Sequence, residues 1–80
     1  MMYGTKLLDT DMDLLAASLS QKEVLVWSLN EHDVYVLVDQ GLILKYDADA
    51  VIIRSTKYAR KTKLHIRDHC EFSVKFKDEE

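Results

Sequence analysis

The sequence has no proline, only two glycines and a single cysteine among its 80 residues. One cysteine excludes an intrachain disulfide, and two well-separated glycines exclude a glycine-rich phosphate-binding loop. The longest apolar run covers residues 34–38, far short of the roughly 20 residues that a membrane-spanning helix needs. A chain of 80 residues has room for one domain, so we expect a single domain over residues 1–80. The single cysteine and the lack of a charged and then apolar leader at the start predict the reducing environment of the cytoplasm.

Charge is distributed unevenly along the chain, although the net charge is only −3. Residues 1–50 carry three lysines and nine acidic residues, whereas residues 51–70 carry six basic residues and one aspartate. Residues 71–80 add two lysines and four acidic residues. Because charges act mainly within a Debye length of about 8–10 Å, we expect a basic patch on an otherwise acidic protein.

Residues 10–20 predict one amphipathic helix. Asp9 and Thr10 are both suitable N-cap residues, because their side-chain oxygens can accept hydrogen bonds from the free N–H groups of a first turn. We expect an apolar stripe, with spacings of four, three and four residues, to face a sheet. The stripe consists of Leu8, Met12, Leu15 and Leu19.

Two short segments in the middle of the chain predict strands. Residues 23–29 are apolar at nearly every position, which is typical of a strand buried on both faces. A helix that continues through this segment is the alternative, because an apolar run of this length fits both structures. Residues 50–55 contain three consecutive β-branched residues and predict a further short strand.

Residues 34–46 have the clearest hairpin pattern in the chain. A connection of three residues, 39–41, places Gly41 where a left-handed backbone is needed. Pairing across this connection puts an apolar set on one face, composed of Val34, Val36, Val38, Leu42, Leu44 and Tyr46. The opposite face carries Tyr35, Leu37 and Ile43, which are too apolar to remain in water. We expect the helix or another subunit to cover them.

Residues 62–77 alternate with period two, the period of a strand. The odd positions are mostly basic or polar, which predicts a basic outer surface, and the apolar residues Leu64, Ile66, Cys70, Phe72, Val74 and Phe76 fall on even positions. A loop at residues 68–70 would pair Ile66 with Phe72 and Leu64 with Val74. One long bent strand is the alternative. Together these segments predict an α+β domain, with one N-terminal helix packed on an antiparallel β-meander of about five strands.

The region between residues 54 and 67 concentrates the basic residues, and residues 56–62 have no apolar pattern, which predicts an exposed loop. Lysine and arginine side chains can neutralise phosphates, and a tyrosine among them can stack on a base. The candidate nucleic-acid contacts are Arg54, Lys57, Tyr58, Arg60, Lys61, Lys63 and Arg67.

Residue types that bind metals or catalyse reactions are present, but their spacing favours neither use. His65 and His69 would lie about 13 Å apart on one strand face, too far to share a zinc ion. His69 and Cys70 are adjacent, so their side chains would point to opposite faces of a strand. The paired aspartates, Asp9, Asp11 and Asp13 or Asp47 and Asp49, suit a helix start and a turn. We therefore expect no metal, no cofactor and no enzymatic activity.

Two functions remain. The first is a non-enzymatic protein-binding module, a small regulator or inhibitor that occludes the surface of a larger, acidic protein, as viral or mobile-element antagonists of host machinery do. Its predicted contacts are Tyr35, Leu37, Ile43, Lys57, Tyr58, Arg60, Lys61 and Lys63. The same apolar face could form a homodimer. The alternative is RNA or DNA binding through the basic segment 54–67, with no membrane involved in either case.

Overall fold

The computed structural model describes residues 5–75 as one helix and six strands in a single antiparallel sheet. The elements are β1 (Thr5–Leu7), α1 (Asp11–Leu19), β2 (Val24–Leu29), β3 (Tyr35–Tyr46), β4 (Ala50–Ser55), β5 (Thr62–Ile66), a 3-10 turn (Arg67–His69) and β6 (Glu71–Lys75). The strands are arranged in the order β1-β6-β2-β3-β4-β5. The predicted α+β class with an N-terminal helix is confirmed, but the sheet has six strands, because β1 precedes the helix and pairs with β6.

The helix begins at a capping box, as the sequence around Thr10 suggests. The Thr10 hydroxyl accepts from the Asp13 N–H at 3.1 Å, and the Asp13 carboxylate accepts from the N–H groups of Thr10 and Asp9. These two backbone hydrogen bonds hold the pKa of Asp13 below its usual value. Asp11 lies in the same first turn, where a carboxylate stabilises the helix dipole.

The face that the helix buries differs from the predicted stripe. Leu14 and Ala17 are buried, whereas Met12 and Leu19 are 71% and 75% exposed and Leu15 is also exposed. Of the predicted stripe only Leu8, which precedes the helix, lies in the core. The helical part of the stripe was wrong because Ala17 is small and adds little to an amphipathic pattern. A small side chain allows the helix to approach the sheet closely, and this sets the rotation of the helix about its axis.

The predicted hairpin over residues 34–46 is wrong, because β3 is one continuous strand. Its first part pairs with β2 and its second part with β4. Gly41 is required by a close approach between strands and not by a turn. A Cβ atom there would lie 2.1 Å from the carbonyl oxygen of Arg54. Asp39, predicted in the turn, is a buried residue in the middle of the strand.

The strand predictions for residues 23–29 and 50–55 are confirmed. β2 lies between β6 and β3, so both its edges are paired and the continuous helix is excluded. β4 has the predicted bounds and lies between β3 and β5. Both strands are central in the sheet, which explains their largely apolar composition.

The predicted pairing within residues 62–77 is wrong, because β5 pairs with β4 at one edge of the sheet and β6 lies between β1 and β2. The apolar parity holds in β6, where Phe72 and Val74 are buried. It fails in β5, where Leu64 and Ile66 are 57% and 40% exposed. In this edge strand it is the opposite face that turns inward, and there His65 meets the buried Asp39. Phe76 and Lys77 lie outside the described residues.

The helix covers only one face of the sheet, here called the inner face. The core between them consists of Leu8, Leu14, Ala17, Val24, Val26, Ile43, Val51, Ile53, Phe72 and Val74. In the part of the chain that the structure describes, no helix covers the opposite, outer face. None of the described residues form a helix with the length and apolar character needed to cross a bilayer.

Candidate functional site

The segment between β4 and β5, residues 56–61, is here called the basic loop. Its tip is a tight turn in which the Lys61 N–H donates to the Tyr58 carbonyl at 3.1 Å. The two central residues, Ala59 and Arg60, have φ values of 55° and 62°. Two positive φ angles give the arrangement of a type I′ turn, which normally selects asparagine and glycine. A left-handed conformation costs a non-glycine residue about 1–2 kcal/mol, so the turn is strained.

The base of the basic loop is attached to a buried hydroxyl. Ser55, at the end of β4, accepts hydrogen bonds from the N–H groups of Lys57 and Tyr58 at 3.1 and 2.8 Å. Its hydroxyl donates to Oδ1 of Asp39 at 2.6 Å. Asp39 and Ser55 are both almost completely buried. The conformation of an exposed loop is therefore fixed by a polar contact inside the domain.

Asp39 is a buried carboxylate with a full set of partners. Oδ1 also accepts from the Gln40 N–H at 2.8 Å, and Nε2 of His65 lies 2.7 Å from Oδ2. Burial acts to raise the pKa of Asp39, but the hydrogen bonds from Ser55, His65 and Gln40 outweigh it and hold this pKa below its usual value. Asp39 is therefore ionised at neutral pH, and the charge is stabilised by three donors.

Serine, aspartate and histidine are the residue types of a hydrolase triad, but their order here is different. In a triad the serine hydroxyl donates to the imidazole, which is held by the carboxylate. Here Ser55 and His65 bind opposite oxygens of the same Asp39 carboxylate. The serine proton therefore faces a carboxylate and not an imidazole base, and Ser55 is wholly buried. This cluster acts as an anchor for the loop.

Tyr58 connects the basic loop to β3. Tyr58 is 43% exposed, and two cations lie over its ring, with Lys57 Nζ at 5.9 Å and Lys63 Nζ at 5.0 Å from the ring centroid. Its hydroxyl donates to the carbonyl of Val38 at 3.3 Å. The Thr56 N–H likewise donates to the Gln40 carbonyl at 2.8 Å. The loop thus runs beside β3 where β4 has already ended.

Four outward-facing side chains on β2 and β3 form what is here called the apolar patch. It consists of Trp27, Leu29, Tyr35 and Leu37. Leu37 is the cross-strand partner of Trp27, and Tyr35 is the partner of Leu29. Leu29 and Leu37 are exposed, while the two aromatic rings are half-buried. The apolar patch lies on the outer face, which no described helix covers.

Hydrogen bonds hold the two aromatic rings of the apolar patch. The indole N–H of Trp27 donates to the Ser73 hydroxyl at 2.8 Å, and the Tyr35 hydroxyl donates to the Glu71 carboxylate at 3.4 Å. Partial burial, together with the charge of Glu71, raises the pKa of Tyr35. The polar end of each ring is occupied, so the exposed surface of the patch is mainly carbon. Large, fixed aromatic rings of this kind anchor protein interfaces.

The prediction that Ile43 shares a face with Tyr35 and Leu37 is wrong. Ile43 is 8% exposed and belongs to the core under the helix. The error follows from an extra residue, Val38, in the pairing of β3 with β2. β3 continues through Gly41, and a register irregularity in its pairing with β2 separates the two halves of the strand. Irregularities of this kind change which side chains share a face.

Arg54 and Arg67, two of the three arginines of the predicted basic site, lie at different ends of β5. Arg54 pairs with Thr62 beside the basic loop and is exposed. Arg67 follows the other end of β5, and its guanidinium donates to the Asp11 carboxylate at 2.8 Å and to the Asp47 carbonyl at 2.6 Å. Arg67 is thus used within the fold and does not extend the basic loop.

The molecule has charge of opposite sign at the two ends of β4 and β5. The basic loop lies at the end where Arg54 pairs with Thr62. The other end, where Ala50 pairs with Ile66, is here called the acidic end. It carries Asp9, Asp11, Asp47, Asp49 and Asp68, which lie around Arg67 or in the turns beside it. The unequal charge of the sequence is therefore a separation of charge in space.

The other chemical candidates have separate places in the fold. His65 is bound to Asp39, while His69 lies in the 3-10 turn and Cys70 packs against the core. Burial, with the nearby charge of Glu71, raises the pKa of the Cys70 thiol. Asp47 accepts from the N–H groups two and three residues later, as in an Asx turn. Within residues 5–75, no three metal-ligating side chains form a group.

The Ser55–Asp39–His65 contacts were not predicted from the sequence. The three residues lie on three strands and are far apart in the chain. His65 fell on the face predicted to be exposed and Asp39 in a predicted turn. A polar residue on the inward-facing side of each strand would have been the only signal.

Comparisons of the chain with known protein families, curated proteins and solved structures found no match.

Proposed function

We propose that this chain is a non-enzymatic protein-binding module that occludes a surface on a larger protein. The observation that carries the proposal is the contact between the Tyr58 hydroxyl and the Val38 carbonyl. Val38 follows Leu37 in β3, so this contact brings the basic loop beside the apolar patch. An apolar centre with fixed aromatic rings and a charged rim is the usual anatomy of a protein interface.

The charge of the rim defines the chemistry of the partner. Among the described residues, none of the cations in and beside the basic loop makes an ion pair, and these cations are Arg54, Lys57, Arg60, Lys61 and Lys63. Cations that make no ion pair, next to an apolar patch, are complementary to a partner surface on which carboxylates lie beside an apolar cleft. We therefore propose an acidic partner, with Trp27 and Leu37 filling its apolar surface and the loop meeting its carboxylates.

The strain in the loop supports this proposal. Ala59 and Arg60 hold a turn that asparagine and glycine would form at lower cost. Strained backbone is more common at binding sites, where the conformation serves recognition. Here the strain presents Arg60 at the tip of a loop whose base is held by the buried Ser55 hydroxyl. A pre-formed loop loses little conformational entropy on binding.

Nucleic-acid binding is a second candidate, favoured by the separation of charge. Tyr58 is exposed with two lysines over its ring, and the acidic end lies at the far end of β4 and β5, so it would not face a phosphate backbone bound at the loop. This candidate uses the basic loop without the apolar patch. The two functions therefore predict different effects when the patch alone is changed.

The test places a photo-crosslinking amino acid at position 37 in one variant and at position 15 in a control variant. Leu37 lies in the apolar patch and Leu15 is an exposed leucine on the helix. A protein cross-linked from position 37 and not from position 15 is identified, purified and titrated with the wild-type chain. We expect Leu37→Asp and Lys57→Glu each to weaken that complex at least tenfold, and added salt to weaken it further.

A parallel titration with fluorescent oligo(dT) and a fluorescent poly(U) separates the second candidate. Tight, salt-sensitive binding that Lys57→Glu abolishes and Leu37→Asp leaves unchanged would favour nucleic acid and overturn the protein-binding proposal. Equal cross-linking from positions 37 and 15 would also overturn it.

A further inference from the structure

The outer edge of β5 is unpaired in the described part of the chain, because β5 is the last strand of the sheet. The Lys61 carbonyl accepts from the Ser55 N–H, and the Arg67 N–H donates to the Asp49 carbonyl. Odd-numbered residues of this segment therefore direct their backbone groups toward β4. Backbone groups alternate in an antiparallel pair, so the N–H and C=O of Thr62, Leu64 and Ile66 point away from the sheet.

The same residues expose apolar side chains. Leu64 and Ile66 are 57% and 40% exposed on the outer face, and the half-buried Ile52 is the cross-strand partner of Leu64. Natural proteins usually protect an edge strand with proline, a bulge, a covering element or charged side chains, lysine above all. β5 contains no proline, its pairing with β4 is regular, and no described strand pairs with its outer edge. Its lysine, Lys63, is directed to the opposite face from Leu64 and Ile66 and lies over the Tyr58 ring. Such an edge is a template for another strand.

We propose that β5 pairs with β5 of a second copy of this chain, antiparallel about a two-fold axis at Leu64. Leu64 then faces the partner's Leu64, and Thr62 faces the partner's Ile66. In this register the residues that face each other are those whose backbone groups point outward, so each facing pair exchanges both its hydrogen bonds. The two sheets become one continuous sheet with a row of apolar side chains across the junction.

Charge is the reason for choosing a second copy in the antiparallel direction. The basic loop lies at one end of β5 and the acidic end at the other. Antiparallel pairing brings the basic loop of each copy beside the acidic end of the other, and the two-fold axis repeats this contact. The basic loop, with Arg60 at its tip, then lies near the 3-10 turn of the partner, which carries Asp68. Parallel pairing would instead bring like charges together.

This interface does not depend on the proposed function. It uses the outer edge of β5, whereas the protein-binding proposal uses the apolar patch on β2 and β3. The basic loop borders both regions, with Tyr58 against β3 and Lys61 leading into β5. Both proposals use the basic loop, but Leu64 belongs to the β5 edge alone and Leu37 to the apolar patch alone, so substitutions at these two positions test the proposals separately.

The test is the oligomeric state of the full chain, measured by sedimentation velocity over a range of concentrations. We expect a concentration-dependent dimer. Leu64→Lys places two ammonium groups across the two-fold axis and should raise the dimer Kd about tenfold or more. Leu15→Lys changes an exposed leucine of the helix and should leave the Kd unchanged. Circular dichroism confirms that both variants are folded.

A charge exchange tests the antiparallel direction, in which the basic loop of one copy lies near the acidic end of the other. Arg60→Glu and Asp68→Arg each create a like-charge contact with the partner and should raise the Kd about three- to tenfold at low salt. The double variant restores opposite charges and should dimerise like the wild type. If each substitution acted only by disturbing the fold, the double variant would combine both defects and would not dimerise like the wild type.

Three results would overturn the proposal. The first is a monomer at every concentration reached. The second is a dimer that Leu64→Lys leaves intact and Leu37→Asp weakens, because the interface would then be the apolar patch. The third is a monomer that captures a strand of a different protein at β5.

Discussion

Nε2 of His65 lies 2.7 Å from Oδ2 of Asp39, although β4 separates their strands in the sheet. Asp39 also receives the Ser55 hydroxyl, so one carboxylate joins side chains from β3, β4 and β5. The basic loop is attached to this cluster through Ser55, which links the stability of the domain to the shape of the loop.

Asp39→Ala tests that link. It leaves the Ser55 hydroxyl and the His65 ring without their shared acceptor, and we expect the free energy of unfolding to fall by about 2–4 kcal/mol. Urea denaturation followed by tryptophan fluorescence measures the change. Asp49→Ala, at an exposed turn residue, is the control and should change stability by less than about 0.5 kcal/mol. Equal losses in the two variants would contradict the anchoring role.

The pH dependence of stability should carry the signature of Asp39. Its folded-state pKa is lowered from the ordinary value of 3.8, so its contribution is present above about pH 4 and is lost as the pH falls through the folded pKa. The difference in unfolding free energy between wild type and Asp39→Asn should therefore be largest near neutral pH and shrink below pH 4. Urea titrations between about pH 2 and 7 measure it. A difference that stays constant over this range would exclude an ionised Asp39.

The strained turn predicts an unusual stabilisation by glycine. Ala59 has a φ of 55°, so Ala59→Gly relieves the left-handed strain and should raise the free energy of unfolding by about 0.5–1 kcal/mol. Ala48→Gly is the matched control. Ala48 is exposed and has no positive φ, so glycine should there lower stability by a similar amount. Thermal unfolding followed by circular dichroism separates the two directions.

The rotation of the helix can be checked with a pair of leucines. Leu14 is buried in the core and Leu15 is exposed. We expect Leu14→Ala to cost about 2–5 kcal/mol, because it removes buried methyl groups and leaves a cavity, and Leu15→Ala to cost less than about 1 kcal/mol. Urea denaturation of both variants provides the comparison. The reverse order would support the stripe expected from sequence spacing.

Local patterns predicted the local features of this fold. The helix start at Thr10 and the strands β2 and β4 follow from capping and apolar runs that neighbouring residues determine. The single strand β3 could not be predicted in this way. Gly41 is a typical turn residue, yet here it is required by the carbonyl of Arg54, which lies on another strand. A contact between distant parts of the chain overrode the turn preference.

The candidate site was predicted in part for the same reason. The concentration of basic residues is a property of the sequence, and the structure brings Arg54, Lys57 and Lys63 to one end of the sheet. Arg67 belonged to the same run but lies at the acidic end, because β5 separates it from the loop. Ile43 was assigned to the wrong face, because the register irregularity in β3 turns its side chain toward the core. The charge of these residues could be read from the sequence, but the face or end of the sheet at which each one lies could not.

The pairing of β1 with β6 makes Thr5 and Lys75 cross-strand neighbours. Facing Cα atoms in such a pair lie about 5 Å apart, so in a chain shortened to residues 5–75 a short linker could join these two strands and convert the backbone into a ring. That ring could be opened at the strained turn, between Ala59 and Arg60, without breaking any strand pairing. The resulting circular permutant would keep the sheet and the apolar patch but would release the tip of the basic loop. A comparison of this permutant with the wild type would show whether the proposed binding depends on the shape of the loop or only on the charges that the loop carries.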